Sequence, residues 1–332
     1  MKTAIVGCGN IAAVHAASLG EMEGCTQVGF ADIKRERAEK FASRYGGNAY
    51  ASLEELLEKE RPDVLHICTP HYLHVPMAVC ALSHGAHVFM EKPPVISRQQ
   101  LSELKEAAGH SEKRIGFCFQ NRYNPCVLLT RRLLESEAGK IRGARGLVTW
   151  SRDEKYYTES GWRGSLATEG GGALINQSVH TLDLLVRLLG KPLWTDAGMK
   201  NHHLQGIIEV EDTMEAFIRF ADSSACFYAT TAYCADAAPL IEIVCENMTI
   251  RMEDPEVTIF YRDGRVKKPS LDPRKPMGKS CWGSSHAACI SAFYEAILKQ
   301  SRFEEDLDGV MDTVRLMLAI YESARNGVSV EV

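Results

Sequence analysis

The sequence predicts an α/β protein, with a doubly wound parallel sheet at its N-terminal end and a following α+β domain built on a large, mostly antiparallel open sheet. Short apolar runs at residues 3–6, 27–31, 64–68, 86–90 and 114–119 alternate with amphipathic stretches at 35–45, 53–60, 75–84 and 99–108. Strands alternating with helices in this way form parallel sheets through right-handed crossovers. After residue 121 the texture changes: strand patterns at 213–220, 225–232, 240–245, 248–252 and 257–261 follow one another without intervening helices, which implies antiparallel pairing. The chain of 332 residues also exceeds what one hydrophobic core commonly serves. The expected domains are 1–120 and 121–332, with the closing helix at 307–326 free to pack back on the first.

Between these two blocks lie a helix pattern at 125–137, a strand at 144–150 and a polar, aromatic loop at 151–168. The triplet Gly170-Gly171-Gly172 then opens a strongly apolar helix from 173 to about 189. Residues 263–280 read as a long exposed loop, and helices at 284–299 and 307–326 close the chain. Hydrophobic residues make up 45% of the sequence and charged residues 24%, as in an ordinary soluble globular protein. The net charge is −5, with both signs interspersed, which argues against nucleic acid or an anionic membrane surface as the main partner. No apolar run reaches the roughly 18 residues that span a bilayer. The stretch Met1-Lys2-Thr3-Ala4-Ile5-Val6 leads straight into a glycine turn without a secretory pattern, so the protein is expected in the cytoplasm. Eleven cysteines without a Cys-x-x-Cys pair, most of them in apolar runs as Cys68, Cys118, Cys226 and Cys245 are, read as reduced small hydrophobes.

The first turn reads Gly7-Cys8-Gly9-Asn10-Ile11-Ala12, directly after a strand and before a helical stretch. This is the dinucleotide fingerprint in its confirming context. Gly7 permits the tight turn, Gly9 lets a pyrophosphate approach, and Ala12 lets the helix pack on the strand. Asn10 and Ile11 would lend the free N–H groups of the helix start. The second strand ends in Asp32, where an acid hydrogen-bonds the adenosine ribose. Together these define a Rossmann domain. NAD is the expected cofactor, because Asp32 repels a 2′-phosphate, while Lys34 and Arg35 nearby keep NADP as the alternative.

Lys92 ends the strand at 86–90 within Glu91-Lys92-Pro93. The carboxyl end of a parallel strand is where open α/β sheets bind ligands, and an ammonium there can stabilise alkoxide character as hydride leaves carbon. The competing reading is an exposed surface lysine. On the helix after the glycine triplet, Asn176, His180 and Asp183 stand at i, i+4 and i+7 and share one face of an α-helix. His180 is either a general base for a hydroxyl proton or a core histidine held by Asp183; the pattern alone leaves both open.

These motifs, together with Thr69-Pro70-His71-Tyr72-Leu73-His74, Gln120-Asn121-Arg122-Tyr123-Asn124-Pro125, Gly161-Trp162-Arg163-Gly164 and the Gly-Gly-Gly…His…Asp helix at 170–183, resemble the glucose–fructose oxidoreductase/inositol dehydrogenase/rhizopine-catabolism (Gfo/Idh/MocA) family over nearly the full chain. The resemblance implies an NAD(P)-dependent oxidoreductase moving a hydride to or from a secondary hydroxyl of a sugar, glycoside or polyol, with C3 of a pyranose as the guess for position. It implies Lys92 and His180 as the catalytic pair. Cofactor contacts would come from Thr69, Pro70, His74, Glu91, Lys92, Gln120, Trp162 and Arg163, and substrate contacts from Lys92, Arg122, Tyr157, Asn176, His180 and His286. For Tyr157 the competing reading is packing, and for His286 a first-turn surface position. The position of Asn176 is often aspartate in that family; an amide cannot accept a proton, which leaves proton transfer to His180 and Lys92. The resemblance also implies a homo-oligomer, dimer or tetramer, through the second domain's sheet. The alternative functions are a redox-neutral glycoside-cleaving enzyme with tightly held NAD, a sugar-nucleotide dehydrogenase, or a cofactor-binding regulator without catalysis. No metal is expected, since the histidines lack cysteine or carboxylate neighbours at usual ligand spacing.

Overall fold

The first apolar run forms strand β1 (Lys2–Val6), in which Ala4, Ile5 and Val6 are buried. In the computed structural model, which describes residues 1–271 and 285–332, the chain continues as α1 (Asn10–Gly20), β2 (Thr26–Ala31), α2 (Arg35–Tyr45), β3 (Asn48–Tyr50), α3 (Leu53–Glu60), β4 (Val64–Ile67), α4 (His74–Ser83), β5 (His87–Met90), α5 (Arg98–Gly109) and β6 (Ile115–Phe117). The strands pair in parallel in the order β3-β2-β1-β4-β5-β6. All four residues of β4 are buried, as expected for a strand covered on both faces. Helix starts have local causes. Ser52 accepts from the Glu55 N–H at 3.2 Å and Ser97 from the Gln100 N–H at 3.1 Å, each satisfying a donor that has no partner inside its helix.

The remaining elements are α6 (Pro125–Ser136), β7 (Ile141–Thr149), α7 (Glu154–Thr158), a π-helical turn (Ala173–Ser178), α8 (Val179–Leu189), β8 (Pro192–Lys200), β9 (Thr213–Phe220), β10 (Ser224–Thr230), β11 (Leu240–Cys245), β12 (Met248–Glu253), β13 (Glu256–Tyr261), β14 (Val266–Lys267), α9 (His286–Lys299), α10 (Met311–Asn326) and β15 (Val330–Glu331). Nine strands form a second sheet in the order β14-β13-β12-β11-β7-β10-β9-β8-β15. Its pairs are antiparallel except β7 with β10. Along β9, Met214, Ala216, Ile218 and Phe220 face the core while Glu215, Phe217 and Arg219 face outward, the period-2 alternation of a sheet with one covered face. Gly146 of β7 admits α8, because a Cβ there would stand 3.0 Å from Leu185 and 3.1 Å from Thr181.

Two compact units result. One is Met1–Gln120 with the described part of Pro276–Val310, the other the described part of Asn121–Lys275 with Met311–Val332. This corrects the expected domain assignment of the last helices. The segment that returns to the first unit is α9, and α10 belongs to the second. The physical reason lies at Gly116 of β6, where a Cβ would be 2.5 Å from the Phe293 ring. The missing side chain makes room for Phe293, whose ring also meets Phe89 at 5.3 Å. Cys289, Ile290, Phe293 and Tyr294 of α9 are buried; burying a side chain the size of Phe contributes about 1.5–3 kcal/mol. Part of the loop read at 263–280 forms β14, and residues 272–280, like Ser284, lie outside the described residues. No described helix is long and apolar enough to cross a membrane.

Candidate active site

Because β1, β4 and β5 are neighbours in the parallel sheet, the glycine turn, the Thr69-Pro70 turn and Glu91-Lys92-Pro93 leave adjacent carboxyl ends. At Gly7, φ is +85° and a Cβ would lie 2.7 Å from the Cys68 carbonyl oxygen, so only glycine closes this turn. At Gly9, by contrast, a Cβ would meet nothing within 4 Å. That open space lies at the N-cap of α1, where no side chain caps the helix and the first turn holds no acid. Asn10 and Ile11 begin the helix there. Room and free N–H donors of this kind fit a pyrophosphate. Asp32 accepts from the Cys8 N–H and the Lys34 N–H, each at 2.8 Å, which ties the glycine turn to the end of β2. A carboxylate offers about four lone-pair directions, so ribose hydroxyls can still be received.

Thr69 and Pro70 are half-buried beside the glycine turn. His74 lies between the two turns. It is buried, with Nδ1 2.8 Å from the Pro93 carbonyl and Nε2 2.9 Å from the Thr69 carbonyl. Burial pushes its pKa below the usual histidine value against the pull of those carbonyls. Its ring clasps the turn after β4 to the turn after β5. Lys92 is half-buried, and its backbone N–H donates to Glu91 Oε2 at 3.2 Å. Gln120 is buried, its Oε1 receiving the Cys118 thiol at 3.7 Å. His286 is 2% exposed, which overturns the surface alternative; burial pushes its pKa down to about 4.

In the second unit the glycine triplet is a packing requirement. A Cβ on Gly171 would lie 2.0 Å from the Tyr321 hydroxyl, and one on Gly172 2.0 Å from the Glu211 carbonyl. The buried Glu211 carboxylate accepts from the Gly172 and Leu174 N–H groups at 2.9 and 3.0 Å and from the Tyr321 hydroxyl at 2.8 Å, filling the role of an N-cap. The expected single α-helix is corrected here. Residues Ala173–Ser178 form a π-helical turn before α8, and the Ser178 hydroxyl donates to the Ala173 carbonyl five residues back at 2.7 Å. The wider turn gives Asn176 a different phase relative to His180 from that of an unbroken α-helix. π-turns of this kind concentrate at functional sites. The Asn176 amide donates to Glu169. Glu169 also accepts from the Gly164 N–H at 2.5 Å, and burial pushes its pKa up to about 7.

Asp183 is held by Arg122, whose Nε and Nη2 donate at 2.8 and 2.6 Å, and by the Thr313 hydroxyl at 2.8 Å. Arg122 is 7% exposed and Asp183 1%. Arg122 therefore ties the chain at residues 121–123 to α8, and Asp183 is engaged by Arg122 and Thr313. Asp183→Ala leaves the guanidinium buried without its anion, so urea unfolding should show a loss of about 3–5 kcal/mol. Tyr157 is 3% exposed and packs on Leu204, Ile208 and Val210; the packing reading holds for it. The half-buried ring of the pair is Tyr156, whose hydroxyl accepts from Gln177 at 2.8 Å. The Arg163 guanidinium lies 4.6 Å from both the Tyr156 and Trp162 ring centres, giving the loop before the glycine triplet a stacked cationic and aromatic surface.

The family described as "Oxidoreductase family, NAD-binding Rossmann fold" matches residues 1–119, and the Gfo/Idh/MocA C-terminal domain matches residues 127–251. The chain belongs to the Gfo/Idh/MocA oxidoreductase family. It is 24% identical to the D-glucoside 3-dehydrogenase of Escherichia coli over 100% of this chain and 97% of that protein. It is also 24% identical to the scyllo-inositol 2-dehydrogenase (NADP(+)) of Bacillus subtilis over 99% and 98%. Among solved structures, the WlbA dehydrogenase of Bordetella pertussis, in complex with NADH and UDP-GlcNAcA, superposes with a TM-score of 0.86 at 25% identity, covering 100% of this chain and 98% of that one.

Within this Gfo/Idh/MocA oxidoreductase the sequence reading missed Glu169, Glu211 and Tyr321, and also His15 and His66. His15, Glu91 and Cys118 place donor atoms within 4.8 Å of one another, although they are far apart along the chain. Both ring nitrogens of His15 already have protein partners, Glu91 at 3.0 Å and His66 at 2.9 Å.

Proposed function

We propose that this enzyme transfers a hydride between NAD and the carbon of a secondary hydroxyl on a sugar, glycoside or polyol. The observation that carries the reading is the emergence of the glycine turn, Thr69-Pro70 and Lys92 from neighbouring carboxyl ends of one parallel sheet. Bound nicotinamide supplies the hydride acceptor. The Lys92 ammonium is assigned to the reacting oxygen, where it stabilises developing negative charge. The His180 imidazole is assigned to the hydroxyl proton as general base. Asn176, its amide held by Glu169, orients a neighbouring hydroxyl, and Trp162 with Arg163 borders the ring of a pyranose and the cofactor edge. Asp32 supports NAD over NADP through repulsion of a 2′-phosphate.

Oxidation at C3 of a pyranose is supported by the glucoside 3-dehydrogenase relative, which aligns along the whole chain. The UDP-sugar in the WlbA dehydrogenase complex favours a second reading, a sugar-nucleotide substrate. A homo-oligomer is supported by the open face of the second sheet, where Leu193, Phe217 and Val244 are about two-fifths exposed. The test is a panel of glycosides, free sugars, inositols and sugar nucleotides with NAD, followed by absorbance of the reduced nicotinamide. Turnover with at least one polyhydroxylated class supports the proposal; binding of NAD without turnover on any of them contradicts it.

A further inference from the structure

Behind the turn that carries Lys92, four buried side chains form one hydrogen-bonded line. Glu91 Oε1 meets His15 Nε2 at 3.0 Å, His15 Nδ1 meets His66 Nδ1 at 2.9 Å, and His66 Nε2 meets the Tyr294 hydroxyl at 2.9 Å. His15 and His66 have no solvent exposure and Tyr294 has 1%. The second oxygen of Glu91 accepts the Lys92 backbone N–H at 3.2 Å. One carboxylate therefore joins an interior histidine to the peptide of the proposed catalytic lysine. The line gathers residues from α1, β4, the turn after β5 and α9.

A ring nitrogen either donates or accepts, and a contact between two Nδ1 atoms needs one of each. When His15 carries both protons it donates to Glu91 and to His66; neutral His66 then donates from Nε2 to the Tyr294 oxygen. That arrangement sets a buried cation against a buried carboxylate, whereas a neutral His15 leaves the Glu91 charge uncompensated at depth. Burial works against the His15 cation, but Cys118 and Glu91 outweigh it and lift the ring to about 9. Of those two, Glu91 bears the charge at neutral pH, because burial holds the Cys118 thiol well above its usual range. Burial, and then the His15 charge, push His66 well below the ordinary histidine value. Burial likewise lowers His286, whose ring lies 6.3 Å from that of His15. After His15, His286 and then Lys92 also act on Glu91.

We propose that His15 is a positioning residue for the hydride-transfer reaction: as the buried cation behind Glu91 it fixes the carboxylate that holds the Lys92 peptide, and it neutralises that carboxylate so that the Lys92 ammonium serves the substrate oxygen. The proposal deepens the reading of Lys92 and rests on it. Losing the partner behind a metal ligand costs about 10- to 100-fold in activity, and a loss of the same order is expected behind Glu91. In His15→Gln the side-chain amide still donates to Glu91 but carries no charge.

The test compares kcat and kcat/KM across pH for the wild type, His15→Gln, His15→Leu and Lys92→Ala, with NAD titrations on each. The expected result is a fall of about tenfold or more in kcat for His15→Gln and a larger fall for His15→Leu, with KM little changed. The alkaline limb that loss of the His15 cation gives the wild type near 9 should be absent from His15→Gln, which has no such proton to lose. A merely structural role would reduce the amount of folded enzyme without removing that limb. An unchanged plateau and limb in His15→Gln overturns the proposal while the Lys92 reading stands; retained turnover in Lys92→Ala overturns that reading itself. Should the variants fail to fold, nitrogen resonances of isotope-labelled histidine in the wild-type enzyme decide the matter. One ring protonated on both nitrogens at neutral pH and titrating near 9 is expected, and solely neutral buried rings contradict it.

Discussion

Lys92→Ala should lower kcat by about 100- to 1,000-fold, the range seen when one preorganised donor is removed from a developing oxyanion, while NAD binding changes little. The substitution removes the ammonium and leaves the turn intact. The turn is held by the backbone N–H of Lys92 on Glu91 and by His74 across the Thr69 and Pro93 carbonyls, and none of these contacts uses the lysine side chain. The proposed pyrophosphate site at Gly9 belongs to a different strand end and should be untouched. Lys92→Arg should rescue poorly, because a planar guanidinium cannot reproduce the reach and point charge of an ammonium. Steady-state kinetics beside a cofactor titration by tryptophan fluorescence check this. Equal losses in turnover and NAD affinity would assign Lys92 to cofactor binding instead.

His180→Gly should lower kcat by about 100- to 10,000-fold, the contribution typical of a positioned general base. Added imidazole should restore part of the lost rate in proportion to its concentration. The neighbouring framework has anchors besides the ring. α8 is anchored by Asp183 on Arg122 and Thr313, and its N-terminal approach is anchored by Glu211 on Gly172 and Leu174. Loss of activity without imidazole rescue, accompanied by a lower unfolding midpoint, would make His180 a structural histidine.

The parts of this molecule that were legible in the sequence are those whose cause is local. Gly7 is needed because its own backbone sits at φ +85° against Cys68, and the strands that flank it are continuous apolar runs. Lys92 is legible because a strand end two residues away places it at the ligand-binding edge of a parallel sheet. The rest depends on neighbours distant in the chain. His15, His66, Glu91 and Tyr294 join only through strand order and the return of α9. The π-turn that displaces Asn176 is set by Glu211 and Tyr321, the latter 146 residues beyond Ile175, to whose N–H its hydroxyl is bonded. Which of Tyr156 and Tyr157 faces the interior is decided by Leu204, Ile208 and Val210, and no local pattern distinguishes two adjacent tyrosines on a helix of five residues. Strands β3 and β8 escaped notice because one is three residues long and the other mixes Asp196, Gly198 and Lys200 into its pattern.

Hydride transfer from a carbinol carbon is most directly tested with a substrate from the panel deuterated at that carbon, incubated with NAD and wild-type enzyme. Mass spectrometry of the recovered cofactor should show deuterium on the reduced nicotinamide in proportion to the oxidised product. Oxidised product formed with the cofactor unlabelled would contradict hydride transfer, and a cleaved glycoside recovered with its deuterium in place would point to the redox-neutral alternative.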